Sequence, residues 1–152
     1  MRGSFLAARM DRRTLLASVG TATAVGLSGC LALSSTSRTN CGEACDIGMS
    51  ASAFRPGELE VSVGDTVVWK NTSSKAHTVT AYEGAIPEDA AYFASGGFDG
   101  EQAARDAWFD SRGGAIPVGE TFEHTFEVPG EHAYVCIPHE RGGMTGKIVV
   151  TE

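Results

Sequence analysis

The sequence predicts an all-β sandwich or barrel over residues 47–152, preceded by a segment of different character. Three observations carry this. From residue 47 onward, short runs of alternating apolar and polar residues recur between turn residues. Nineteen glycines against 8% aromatic residues favour short strands joined by turns over a helical bundle. A length of 152 residues gives room for one domain with a real core and an N-terminal segment outside it.

The first segment, residues 1–29, reads as an address. Asp11-Arg12-Arg13 precedes an apolar run from Leu15 to Leu27 that is too short and too rich in small residues to span a bilayer. Leu27-Ser28-Gly29-Cys30 follows it. The paired arginines resemble a twin-arginine export signal and the last four residues resemble a lipobox, which implies a lipidated Cys30 at the start of the mature chain. Residues 30–46, with Ser and Thr from Ser34 to Thr39, then form a tether between the lipid and the domain.

In the domain, strands are expected near Ile47–Phe54, Leu59–Val63, Thr66–Asn71 and His77–Tyr82, with a tight turn at Gly64-Asp65. They resume at Glu120–Val128, Glu131–Cys136 and Gly146–Thr151, with Pro129-Gly130 between the first two. The stretch from Glu83 to Val118 breaks this rhythm. It holds two candidate short helices, one at PEDAAYFASGG, where Pro87 suits a first turn, and one at GEQAARDAWF, rich in helix formers. The helical insertion is placed near 86–112, with glycine pairs at 96–97 and 113–114 as loop or cap positions. Its Phe93, Phe98, Trp108 and Phe109 are expected to pack on the sandwich.

Charge excludes one class of partner. The formal net charge is −7, and from Cys30 onward eight basic side chains face 18 acidic ones. A nucleic-acid-binding domain needs a basic footprint, and this chain has none. The acids are dispersed, which fits a surface kept hydrated in a salty medium; at about 1 M salt the Debye length is only about 3 Å and long-range steering fades.

Chemistry is concentrated in Tyr134–Val150, YVCIPHERGGMTGKIVV. Cys136, His139 and Met144 fall in one loop between two strands. Thiolate, thioether and imidazole together suit copper cycling between Cu(I) and Cu(II), and two His and one Cys with a weak axial Met is the blue-copper donor set. The second histidine comes from His77, His124 or His132. His132 lies about 13 Å behind Cys136 along an extended strand, too far for the same ion. His124 sits between Phe122 and Phe126 on an inward face, the place of a core or rim histidine. His77 follows a polar loop at a strand start, where a ligand can meet another loop.

Cys136-x2-His139-x4-Met144 followed by Thr-Gly-Lys-Ile-Val-Val, with Gly64-Asp65-Thr66-Val67-Val68-Trp69-Lys70-Asn71 and His77-Thr78-Val79 upstream, resembles plastocyanin and, nearer still, the halocyanins. The resemblance covers residues 47–152. It implies a cupredoxin Greek-key β-sandwich of about seven or eight strands with one copper ion held by His77, Cys136, His139 and Met144. Two positions depart from plastocyanin. Val135 stands where plastocyanin has tyrosine, which removes a remote electron route. Thr78 replaces an asparagine, leaving a hydroxyl to join the two ligand-bearing loops.

Cys41 and Cys45 remain. In an oxidising compartment a short-loop disulfide between them is expected, and a Cu(I) site from Cys41, Cys45 and Met49 is the alternative. The expected protein is therefore a monomeric electron carrier and not an enzyme. A lipid anchor holds it on the extracytoplasmic face of the cell membrane, where it exchanges electrons with membrane redox proteins. A copper chaperone or storage protein is the second reading.

Overall fold

Two four-stranded sheets enclose the core in the computed structural model, which describes residues 45–152. The expected signal, Cys30 and Cys41 lie outside the described residues. One sheet has the order β2-β1-β4-β6, from β1 (Ile47–Met49), β2 (Phe54–Arg55), β4 (Thr66–Asn71) and β6 (Thr121–Thr125). The other has the order β3-β8-β7-β5, from β3 (Glu58–Ser62), β8 (Thr145–Thr151), β7 (Gly130–Val135) and β5 (Thr80–Ala81). Two ladders are parallel, β1 with β4 and β3 with β8, and the others are antiparallel. This is the expected all-β sandwich.

Alternation decides which side chains enter it. In β4, Val67, Trp69 and Asn71 are buried while the residues between them are not; in β8, Gly146, Ile148 and Val150 are. Trp69 is fully buried at the centre, with its ring 5.4 Å from Tyr134, 5.6 Å from Phe122 and 6.2 Å from Phe93. Phe54 closes edge-on over Tyr134 at 4.7 Å.

Three expectations are corrected. The first strand is two, because Ser50 gives both its N–H and its hydroxyl to Ala53 O and turns the chain between β1 and β2. The strand expected over His77–Tyr82 reduces to Thr80–Ala81, since the insertion takes the other backbone groups: His77 exchanges hydrogen bonds with Ile116, and Val79 O accepts from Ser95 N–H at 2.7 Å. The same pairing accounts for the third. The stretch at PEDAAYFASGG is not helical, because Phe93 O accepts from Ala81 N–H and Ser95 is paired with Val79. A short 3-10 turn, Glu83–Ala85, stands before it instead.

The second expected helix is present as α1 (Glu101–Ser111). Glu83 accepts from the Glu101 N–H at its start, and Arg112, at φ 61, ends it with its N–H on Ala107 O and Trp108 O. Gly114, at φ 77, then passes so close to Ser95 O that a Cβ would collide with it. Phe93 and Trp108 are buried and Phe98 is half-buried, as expected. Phe109 is not: at 77% exposed it points to solvent, since only Ala104 and Trp108 of α1 turn inward.

His124 and His132 belong to the scaffold. His124 stacks on Phe93 at 4.7 Å, and His132, 1% exposed, meets Phe126 edge-on at 5.0 Å. The Nε2–H of His132 donates to Val128 O at 3.0 Å. Burial holds its pKa below the ordinary histidine value.

Two outcomes follow. A Cβ on Gly146 would enter the Tyr134 ring that crosses it, so Gly146→Ala should cost about 1–3 kcal/mol in urea unfolding, with an unchanged m-value. Because the folded pKa of His132 is lowered, the unfolded chain takes up the proton first, and stability falls as pH drops below about 6.5. His132→Gln, which retains a donor for Val128 O, should lose less stability than the native chain between pH 7 and pH 5; equal losses would exclude this role.

Candidate metal centre

The centre is assembled from two loops. β7 delivers Cys136 from its inward face, and a 3-10 turn, Ile137–Gly142, follows with Pro138 at its start. Three backbone bonds close this loop: His139 N–H to Cys136 O at 3.0 Å, Met144 N–H to His139 O at 3.2 Å, and Cys136 N–H to Met144 O at 3.0 Å. Gly143, at φ 80, makes the reversal and donates to Glu140 O. The three residues expected from one contiguous motif are thus stitched to one another through their main chain.

The other loop brings His77, and a buried asparagine shapes it. Asn71 donates from Nδ2 to Lys75 O at 2.7 Å and Ile116 O at 2.9 Å, and its Oδ1 accepts from Ser73 N–H at 3.0 Å. Thr78 joins the loops. Its Oγ1 accepts from Ile137 N–H at 2.9 Å and its own N–H points at Cys136 Sγ at 3.4 Å. The hydroxyl at this position holds the loops together as expected.

Both imidazoles converge on the sulfur. Nδ1 of His77 lies 3.5 Å and Nδ1 of His139 3.3 Å from Cys136 Sγ, and all three donor atoms fall within 4.8 Å of one another. Among the described residues this is the only such group of His, Cys, Asp and Glu side chains. His77, Cys136 and Met144 are fully buried, and His139 is half-buried. Met144 shares an apolar cluster with Cys136.

Ser73, which the sequence reading did not single out, settles the orientation of His77. Its Oγ is 2.7 Å from His77 Nε2. The serine hydroxyl has carbonyl acceptors of its own in Asn71 Oδ1 and Lys75 O, so His77 Nε2–H is the donor to it and Nδ1 keeps its lone pair toward the sulfur. The polar run Asn71–Lys75 before His77 was the available signal.

Electrostatics fit a soft cation. Burial, then the charge of His139 and of Lys75, lowers the His77 pKa to about 4, and burial followed by Lys75 also lowers that of His139, so both rings are neutral ligands at neutral pH. Burial raises the Cys136 thiol pKa against the hydrogen bonds that favour the thiolate. A thiolate here needs a positive partner, and a bound metal ion supplies one. Two imidazoles and a dry thiol, with no carboxylate among them, suit copper and not the hard cations that take oxygen ligands.

Comparison with known proteins agrees. Residues 42–151 match the family model for copper binding proteins of the plastocyanin/azurin family. The chain belongs to this family. Its cofactor is one copper ion. It is 28% identical over 100 residues to a chloroplastic plastocyanin of Tetradesmus obliquus, covering 66% of this chain and 59% of that protein. It is 34% identical over 98 residues to the plastocyanin minor isoform of Arabidopsis thaliana, covering 64% of this chain and 50% of that protein. The match thus spans between half and three fifths of these relatives. A pseudoazurin structure aligns over 70% of this chain and 72% of its own, at 26% identity and a TM-score of 0.49.

At the remaining expected site, Cys45 is disulfide-bonded. Its expected partner, Cys41, lies outside the described residues. That bond, and the complete burial of Met49 in the core, oppose the alternative of a Cu(I) site from Cys41, Cys45 and Met49.

Ser73→Ala removes the acceptor for His77 Nε2–H and should weaken copper binding about 10-fold or more, measured by competition with a chelator. Unchanged affinity would show that Asn71 and Ile116 alone hold the ring.

Proposed function

We propose that the protein is a one-electron carrier of the halocyanin type, with His77, Cys136, His139 and Met144 as the ligands of its copper ion. The convergence of both Nδ1 atoms on a buried sulfur carries this reading. Bound copper supplies the chemistry, a single electron gained or lost between Cu(II) and Cu(I). The protein supplies a fixed cage. Asn71, Ser73 and Thr78 hold the donors in place, so little has to move when the charge changes, and the apolar surroundings of Cys136 keep water out.

His139 is the exit. It is the ligand that is not fully buried, and the apolar residues Ile137 and Pro138 precede it. No tyrosine stands at Val135 to offer a second route, and Val135 is itself fully buried. The protein itself fills all four ligand positions and leaves none for a substrate, so it works as a carrier and not as an enzyme.

The setting rests on the sequence. Lipidation at Cys30 after twin-arginine export would anchor a monomer on the extracytoplasmic face of the membrane, with membrane redox proteins as donor and acceptor. No helix among the described residues is long and apolar enough to cross a membrane. A chaperone or storage role, the second reading, draws on Cys41, Cys45 and the membrane tether, and the bonded state of Cys45 weakens the first of these supports.

Anaerobic titration with copper should saturate at one equivalent, develop an intense blue band and give reversible one-electron voltammetry. Cys136→Ser should abolish the band. A colourless, redox-silent product would overturn the reading. His139→Gly should slow exchange with a redox partner until imidazole is added.

A further inference from the structure

The insertion from Glu83 to Val118 has a job that the ligand set does not explain. We propose that α1 is a clamp on the copper loop, with Arg105 acting through Glu140 and Trp108 acting through Ile137 as positioning residues for His139.

The contacts fall on both sides of the exposed ligand. Before it, Ile137 is 6% exposed and packs in one apolar cluster with Ala94, Ala104 and Trp108. After it, Glu140 receives a two-pronged bond from Arg105, Nη1 to Oε2 at 2.7 Å and Nη2 to Oε1 at 3.0 Å. The Tyr82 hydroxyl donates to the same carboxylate at 2.9 Å. Arg105 also bonds from Nε to Glu101 Oε1 at 2.9 Å, one turn back on α1, so its guanidinium is fixed on the helix side as well. Arg105 and Trp108 are three residues apart on α1, which puts them on neighbouring positions of one helical face.

The loop needs such support. A six-residue 3-10 turn has poor hydrogen-bond geometry, and this one ends in Gly142-Gly143. Of the four ligands, His139 is the one that burial does not hold. A ligand that must sit at the surface to pass electrons needs restraint from its sequence neighbours, and α1 grips both Ile137 and Glu140. An incidental surface ion pair would engage one carboxylate oxygen and be free to rotate; this one is planar, bidentate and shared with a tyrosine.

The proposal rests on the copper-ligand reading, and its test separates the two. In the copper-free protein, Arg105→Met should speed amide hydrogen exchange at Gly143 and Met144 about tenfold, the scale of losing a charged bidentate bond. Arg105→Lys, which keeps a single charged bond to Glu140, should restore part of the protection. Glu101→Gln, which weakens the helix-side hold on Arg105 but leaves the Glu140 contacts in place, should lose less protection than Arg105→Met. In the copper-loaded protein, Arg105→Met should shift the reduction potential and the position of the blue band and release copper to a chelator about tenfold faster. Should Arg105→Met fail to fold, Glu140→Gln carries the same expectations in weaker form. Native exchange rates, potential and band in a folded Arg105→Met or Glu140→Gln chain would overturn the clamp. If the native chain takes up no blue copper, the function falls while the exchange measurement still decides the clamp.

Discussion

A thiolate in a dry interior is costly, and the fold is arranged around that cost. Cys136 is fully buried, its thiol held above its ordinary pKa by burial, and it is contacted by two imidazoles and the Thr78 backbone N–H. Without a cation the site favours the protonated thiol; with one, the thiolate gains the charge partner that burial denies it. Everything that positions the neighbours of that sulfur therefore bears on the metal. Thr78 is central because it touches both sides: its hydroxyl serves the loop after Cys136, and its N–H points at the sulfur from the loop of His77.

The β-scaffold sets where the sulfur can be. Strand parity carries His132 and Tyr134 to the inward face of β7, Cys136 follows at its end, and Thr80 pairs with Val135 so that the His77 loop reaches the same end of the sandwich. Tyr134 then lies over Gly146, its partner in β8. The aromatic packing of Trp69, Tyr134 and Phe54 and the loop Cys136–Met144 are thus joined through one strand pair, and the core and the metal site share residues.

What the residues themselves made legible follows from how local each signal was. Cys136, His139 and Met144 sit in one loop, and the three backbone bonds that join them are bonds within that loop. Alternation located β3, β4, β6, β7 and β8 to within a residue or a few at each end. The break at Ser50 is a local turn, and the larger failures are non-local. No pattern in PEDAAYFASGG reveals that Phe93 and Ser95 will pair with the stretch after His77, which shortened a strand in one segment and removed a helix from the other. Ser73 and Asn71 were hidden for the same reason: Asn71 reaches Ile116, 45 residues away, and only that bend of the loop places Ser73 on the imidazole.

The insertion shows how one chain divides two demands. Low rearrangement asks for a rigid cage, and exchange with a partner asks for an exposed ligand. Among the proposed ligands, burial meets the first demand for His77, Cys136 and Met144. For the proposed exit ligand, His139, burial supplies no such hold, and residues beside it are placed to restrain it. α1 lies where it can supply that, with apolar contact at Ile137 and charged contact at Glu140. A surface so dominated by carboxylates has few cations to place, and Arg105 is one of them, paired with Glu140 of this loop and Glu101 of the helix that bears it and lying over the Tyr82 ring.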